Sequence, residues 1–260
     1  MPDSDKKLAA AALTIAGSDS CGGAGVQADL KTFHALGVFG ASAITAITAQ
    51  NTLGVQAATP ISAELLASQI NAVLDDIPVT AIKTGMLPNA EAIEVVSNII
   101  GDRCGDIPLI VDPVLVATSG DSLTFGDTLC AMKEKLIPLA TLVTPNLEEA
   151  RTFAPDAETS NETAREFLAL GCQAVLLKGG HEDGSRITDW LIKAGEETAF
   201  SHPRIAGSFH GTGCTLSAAI AALMASGTDL NHAVGAGINH VGEKIKAARL
   251  SKSGSLYLLD

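Results

Sequence analysis

The chain has 260 residues, 47% of them hydrophobic and only 3% aromatic, with a formal charge of −12. This composition supports a sizeable core in one large α/β domain, residues 1–260, and the acidity argues against nucleic acid or an anionic membrane as partner. Five cysteines with no C-x-x-C pair and no zinc spacing point to a reduced, cytoplasmic chain, and no apolar run is long enough to span a bilayer.

Leu8 to Ala16 reads as a buried strand rather than a signal peptide, because it runs straight into the glycine loop Gly17 to Gly25. A helix follows with Val26, Leu30 and Phe33 on one face, stopped by Gly37. Ser42 to Ala49 reads as a second buried strand, ending at Gln50. Ser62 caps a helix carrying Leu66, Ile70 and Val73. Val79 to Lys83 is a strand with its exit at Thr84-Gly85-Met86, and Asn89 caps a helix with Ile93, Val96 and Ile100 inward.

Leu109 to Val111 ends on Asp112-Pro113, and about 114–125 reads as an exposed flap. A helix over Asp127 to Leu136 leads to the strand Ala140 to Val143 and the turn Thr144 to Glu149. Glu162 to Leu170 is helical, and Ala174 to Leu177 is a strand exiting at Lys178. Ile187 to Ile192 and Thr198 to Ser201 form an edge hairpin, and Asn231 to Ala248 is the last helix. Alternating strands and helices predict a mainly parallel sheet with helices on both faces. Ligands of such sheets sit beyond the strands' carboxyl ends. Gly17, Gln50, Met86, Asp112, Asn146, Glu149 and Lys178 should therefore share one rim.

His210-Gly211-Thr212-Gly213-Cys214 precedes an apolar helix with Leu216, Ile220 and Leu223 on one face and Gly227 as its stop. The first-turn N–H groups and the helix dipole make Gly211 to Cys214 a cradle for an anion, most naturally a phosphate. The same dipole predicts a lowered pKa for the Cys214 thiol. Read alone, the stretch also fits a plain turn before a core helix. The Walker pattern is absent. Gly23-Ala24-Gly25-Val26-Gln27-Ala28 fits the loose dinucleotide pattern, but no acid follows to hold a ribose, so an NAD-binding oxidoreductase is a remote alternative.

Several stretches together resemble the hydroxymethylpyrimidine/phosphomethylpyrimidine kinases of the ribokinase superfamily. They are Ala16 to Ser20, Gly22 to Lys31, Ala49 to Thr52, Lys83 to Leu87, Asp112 to Val114, Ser119 to Asp121, Thr144 to Leu147, Leu177 to His181 and His210 to Thr215. The resemblance implies a three-layer α/β/α sandwich, ATP as co-substrate, Mg²⁺ and a homodimer. It implies two successive phosphorylations of 4-amino-5-hydroxymethyl-2-methylpyrimidine in thiamine synthesis.

By the same resemblance Gln50 would read the aminopyrimidine edge, with Gly17, Asp29, Met86 and Val114 lining its pocket. Gly211, Thr212, Gly213 and Cys214 would hold the transferring phosphate, and Cys214 would act as the base. Asn146, Glu149 and Asp112 would hold Mg²⁺, and Lys178 and Lys252 would serve ATP. Taken by themselves, Asn146 and Glu149 also fit a helix start, and Asp29 a first-turn acid. His34, His181, His202, His232 and His240 read as structural or surface, and His210 is given no proton transfer. A pyridoxal kinase of the same lineage is the nearest alternative; it can carry a flap cysteine where this chain has Ala117. A non-catalytic sensor would have lost Cys214, Gln50 or Glu149, and all are present.

Overall fold

A computed structural model describes residues 8–115, 127–179, 184–254 and 256–259. Most of the expected flap, including Ala117 and Ser119 to Asp121, lies outside the described residues, as does His181.

The organising strand is β1 (Ala11–Ser18), which is buried along nearly its whole length. Such a strand needs cover on both faces, and it has it. Leu13 and Ile15 point into one core and Ala12 into another, the period-2 alternation of a strand. β5 (Leu109–Val111) and β7 (Ala174–Leu177) split in the same way: Val111 and Val175 join the first core, Ile110 and Leu176 the second. The first core is closed by α2 (Ala63–Asp76), α3 (Ala90–Arg103), α5 (Leu147–Phe153) and α6 (Ser160–Ala169). The segment from Thr128 to Leu139 packs there too. It begins as α4 (Thr128–Ala131) and tightens through a π turn at Met132–Leu136 and a 3₁₀ turn at Ile137–Leu139. The second core is closed by α1 (Gly25–Ala35), α7 (Thr212–Ala225) and α8 (Leu230–Ala247). The result is the expected three-layer α/β/α sandwich.

The large sheet has nine strands in the order β3-β2-β1-β4-β5-β6-β7-β8-β9. Here β2 is Phe39–Asn51, β3 Gly54–Pro60, β4 Ala81–Thr84, β6 Leu142–Val143, β8 Arg186–Lys193 and β9 Glu196–Pro203. The pairs from β2 through β7 are parallel. β3 at one edge and the β8–β9 hairpin at the other are antiparallel. The chain winds outward from β1 to β3, then returns to add β4 on β1's other side. That reversal is a topological switch point, where a crevice opens beyond the strand ends.

Ser62 and Asn89 cap their helices as expected, accepting the N–H of Leu65 and Ala92. Two features were not expected. β3 carries only partly buried and exposed side chains, so it shows little apolar signal. β10 (Phe209–His210), β12 (Tyr257–Leu258) and β11 (Arg249–Leu250) form a separate three-stranded sheet in that spatial order. No helix among the described residues is long and apolar enough to cross a membrane.

Candidate active site

A cavity of about 1030 Å³ opens at the switch point, lined at its centre by Gly17, Lys83, Asp112 and the start of α7. It gathers nearly all the rim residues expected from the sequence: Gln50, Met86 and Val114 at one end, and Asn146, Glu149 and Lys178 beside Gly211 to Cys214.

The cradle is built by α7, whose apolar residues commit it to the second core. Its cap, Gly211, has φ +81°, the left-handed region that glycine tolerates. A Cβ there would also overlap the carbonyl oxygen of Gly23. The chain thus turns sharply and presents the first-turn N–H groups to the cavity. Gly211→Ala is expected to abolish phosphoryl transfer, because strain and overlap both push the turn open. Turnover within about tenfold of wild type in a steady-state assay would contradict the cradle.

Beside the cradle, Lys178 Nζ lies 3.2 Å from Asp112 Oδ1 and 3.9 Å from Glu149 Oε2. Burial alone would lower the Lys178 pKa, but the two carboxylates outweigh it and hold the ammonium above its usual range. Thr144 and Ser217 direct their hydroxyls at Asp112, each at 3.3 Å. Glu149 is buried, and that burial pushes its carboxyl up to about 7, with Lys178 opposing and Asp112 reinforcing.

Asn146 and Glu149 form a capping box. Asn146 Oδ1 accepts the N–H groups of Glu148 and Glu149, and Glu149 Oε2 accepts the Asn146 N–H at 2.8 Å. Their immediate partners are therefore the helix start. Among the described residues, no cluster of three or more His, Cys, Asp or Glu side chains is arranged to hold a metal by itself.

At the other end of the cavity the Met86 thioether packs beside Gly17. A Cβ on that glycine would stand 3.1 Å from Met86 Cε. Ala46, Val55 and Val114 complete a small apolar group around it. Gln50 is held from two sides. Its backbone N–H donates to Ser20 Oγ and its carbonyl accepts from the same hydroxyl, at 2.8 and 2.9 Å. Thr48 Oγ1 donates to its side-chain Oε1 at 3.1 Å.

Three expectations need correction. Asp29 does not line the cavity: it is fully buried, with both carboxylate oxygens within 2.9 Å of Lys83 Nζ and Thr14 Oγ1 donating at 2.6 Å. Burial pushes its carboxyl up, and Lys83 and Thr14 pull it back. For Lys83 burial opposes the charge, but Asp29, Cys214 and Asp112 together raise its pKa. Two short contacts to one ammonium are the geometry of an ion pair, and we assign the pair as charged. Lys252 also lies off the cavity, exposed on the C-terminal tail.

The third correction concerns Cys214, whose pKa is not lowered. Burial pushes the thiol up to about 11, while Lys83 and an N–H donated by Gly25 pull the other way. The helix end is outweighed by desolvation.

Sequence reasoning gave no site role to Lys83, Asp19, Asp189 or His202, all of which line the cavity. Asp189 accepts the Gly179 N–H at 2.9 Å and meets His202 Nε2 at 3.2 Å. That second bond raises the His202 pKa.

Comparisons with known proteins place the chain in a family. A family model described as phosphomethylpyrimidine kinase matches residues 19–256. A hydroxymethylpyrimidine/phosphomethylpyrimidine kinase of Rhizobium meliloti is 48% identical over 247 residues, covering 93% of this chain and 92% of that one. The crystal structure of phosphomethylpyrimidine kinase from Clostridium difficile 630 superposes with a TM-score of 0.80 at 38% identity, over 91% of this chain and 99% of that one. A Bacillus subtilis pyridoxal kinase in complex with ADP superposes with a TM-score of 0.88 at 33% identity, over 98% and 97%. The backbone thus places the chain among ribokinase-like kinases of both kinds, and the family match with the level of identity separates them: the chain belongs to the hydroxymethylpyrimidine/phosphomethylpyrimidine kinase family.

Proposed function

We propose that this single domain phosphorylates 4-amino-5-hydroxymethyl-2-methylpyrimidine from ATP and then phosphorylates the monophosphate to the diphosphate, in thiamine diphosphate synthesis. The observation that carries the reading is one cavity lined by an amide-and-apolar group, a thiol and a helix-start cradle. Its volume of about 1030 Å³ leaves room for an acceptor and a nucleotide together. The pyrimidine lies between Met86 and Val114 with Gln50 on its edge, since a carboxamide offers both a donor and an acceptor. The adenine takes the apolar lining supplied by Leu216, Val241 and Ile245.

The cradle N–H groups and Lys178 bear the charge that spreads over the transferring phosphoryl group. Cys214 accepts the proton of the hydroxymethyl group as its oxygen attacks. Magnesium suits the oxygen donors here. Asp112 and Glu149 are buried carboxylates crowded on one lysine, and a divalent cation relieves such crowding. Asp112, Glu149 and Asn146 would hold the ion, through water and the ATP phosphates rather than as a complete protein cage. When bound, the ion would neutralise phosphate charge.

A cytoplasmic location and a homodimer accompany this reading. The five free thiols suit a reducing compartment, and exposed Phe39, Ile47 and Leu53 on β2 and the turn after it offer apolar surface to a second copy.

Gln50→Ala tests the acceptor assignment. The KM for the pyrimidine is expected to rise by about 10–100-fold, with the KM for ATP changed by less than about threefold. Equal changes for both ligands would remove Gln50 from acceptor recognition. Pyridoxal is the second reading, favoured by the backbone likeness to the pyridoxal kinases.

A further inference from the structure

His210 and Asp19 are both buried, at 6% and 3% exposure, on the cavity wall. His210 Nε2 meets Asp19 Oδ2 at 3.0 Å across a sequence distance of 191 residues. Asp19 is the hub of the glycine loop. Its carboxylate accepts the N–H groups of Cys21, Gly23 and Ala24 at 2.7, 3.0 and 2.8 Å. Burial alone would raise its pKa, but these bonds and His210 outweigh burial and hold the carboxyl below its usual range. The loop leads directly into Gly25, which lines the cavity together with Cys214.

On the other side, His210 closes β10, one residue before the Gly211 cap. β10 lies in parallel register with the C-terminal tail, His210 opposite Leu258. The Tyr257 N–H donates to the Ser208 carbonyl at 2.8 Å, and the Phe209 and Tyr257 rings pack at 5.3 Å. The imidazole rests on bare backbone, for a Cβ on Gly23 would overlap its Cδ2.

We propose that Asp19 and His210 are a positioning pair: their bond clasps the glycine loop to the strand feeding the phosphate cradle, and so sets how closely the loop approaches the Gly211 cap. The two lips of the cavity come from opposite ends of the chain. This pair is a side-chain bond between them, and the close approach of the Gly23 carbonyl to Gly211 is the contact it sets. The pair moves no proton. Nε2 is spent on Asp19, and Nδ1 is buried with no hydrogen-bond partner among the described residues. The C-terminal tail gains a role here as the brace behind His210.

The inference rests on the kinase reading, so the variants are assayed with whichever acceptor the wild-type protein phosphorylates, the hydroxymethylpyrimidine or pyridoxal. A wild type idle on both would sink the kinase reading, while variants equal to an active wild type would sink the clasp. His210→Ala and Asp19→Asn are expected to lower kcat on the order of 10–100-fold, since a displacement near 1 Å suffices for that. The KM for ATP should stay within about threefold. His210→Gln, whose amide nitrogen can reach the Nε2 position, should recover most of the loss. Should these variants fail to fold, Gly23→Ala displaces the ring while leaving both partners in place, and the same loss of kcat is expected. A wild-type kcat in His210→Ala or Gly23→Ala, a parallel rise in the KM for ATP, or a glutamine variant no better than alanine would each overturn the clasp.

Discussion

Cys214→Ala is expected to slow the first phosphorylation by about 10²–10⁴-fold, the usual worth of a general base, and to leave the second within about tenfold. The two reactions differ in the acceptor's proton. The hydroxymethyl group keeps its proton at neutral pH and must lose it to attack. The monophosphate attacks through an oxygen that is already ionised, because the second pKa of a phosphate monoester is near 6. With both acceptors in the one cavity, only the first phosphorylation is expected to need Cys214 as a base.

The pH dependence follows from the same group. Burial holds the thiol at about 11, so the thiolate fraction grows with pH throughout the neutral range. The first phosphorylation should therefore climb between about pH 7 and pH 9, by up to about tenfold per unit, and the second should not share that rise. Mass-resolved product formation from each acceptor, for wild type and variant, checks both points. Equal losses in the two steps would make Cys214 a part of the cradle rather than the base.

Lys83→Met is expected to destabilise the protein by about 3–5 kcal/mol, because it leaves a carboxylate buried and unpaired. Asp29 and Lys83 are both fully inaccessible to solvent. The exposed pair Lys246–Glu243 shows the contrast: surface pairs contribute about 0–1 kcal/mol. For a chain of this size the loss corresponds to a melting midpoint lower by roughly 10 °C. Replacing both partners, Lys83→Met with Asp29→Leu, should restore most of the stability, since an apolar pair of similar volume carries no desolvation cost. The restored variant should still phosphorylate the hydroxymethyl acceptor slowly, because Lys83 lowers the raised Cys214 thiol more than Asp29 raises it. Calorimetry and turnover measured on the same samples separate the two effects. A double variant as unstable as the single one would contradict the buried pair, and one with wild-type turnover would detach Lys83 from Cys214.

The rim was legible because most of its residues follow short apolar strands, and a parallel sheet sends all such ends to one side. Gly17 after β1, Asp112 after β5 and Lys178 after β7 are found lining the cavity for that reason. The cradle was legible because two glycines precede an apolar helix.

Charge pairing was not legible. Lys83 ends a strand pattern and Asp29 sits inside a helix pattern, 54 residues apart, and only the β1–β4 pairing and the packing of α1 bring them together. The Cys214 pKa was misjudged because a sequence shows the helix end but not the depth of burial. Asn146-x-x-Glu149 admits both a helix cap and a cation site. The structure forms the cap, and the cation remains a proposal. β3 was missed because its side chains are partly buried or exposed, and the tail strands because two residues each are too short to leave a periodic trace.

The central claim is tested most directly by an ADP-release assay with Mg-ATP, run with the hydroxymethylpyrimidine and with pyridoxal side by side, products identified by mass. The account predicts the monophosphate and then the diphosphate of the pyrimidine. Turnover of pyridoxal alone, with no pyrimidine diphosphate, would contradict it.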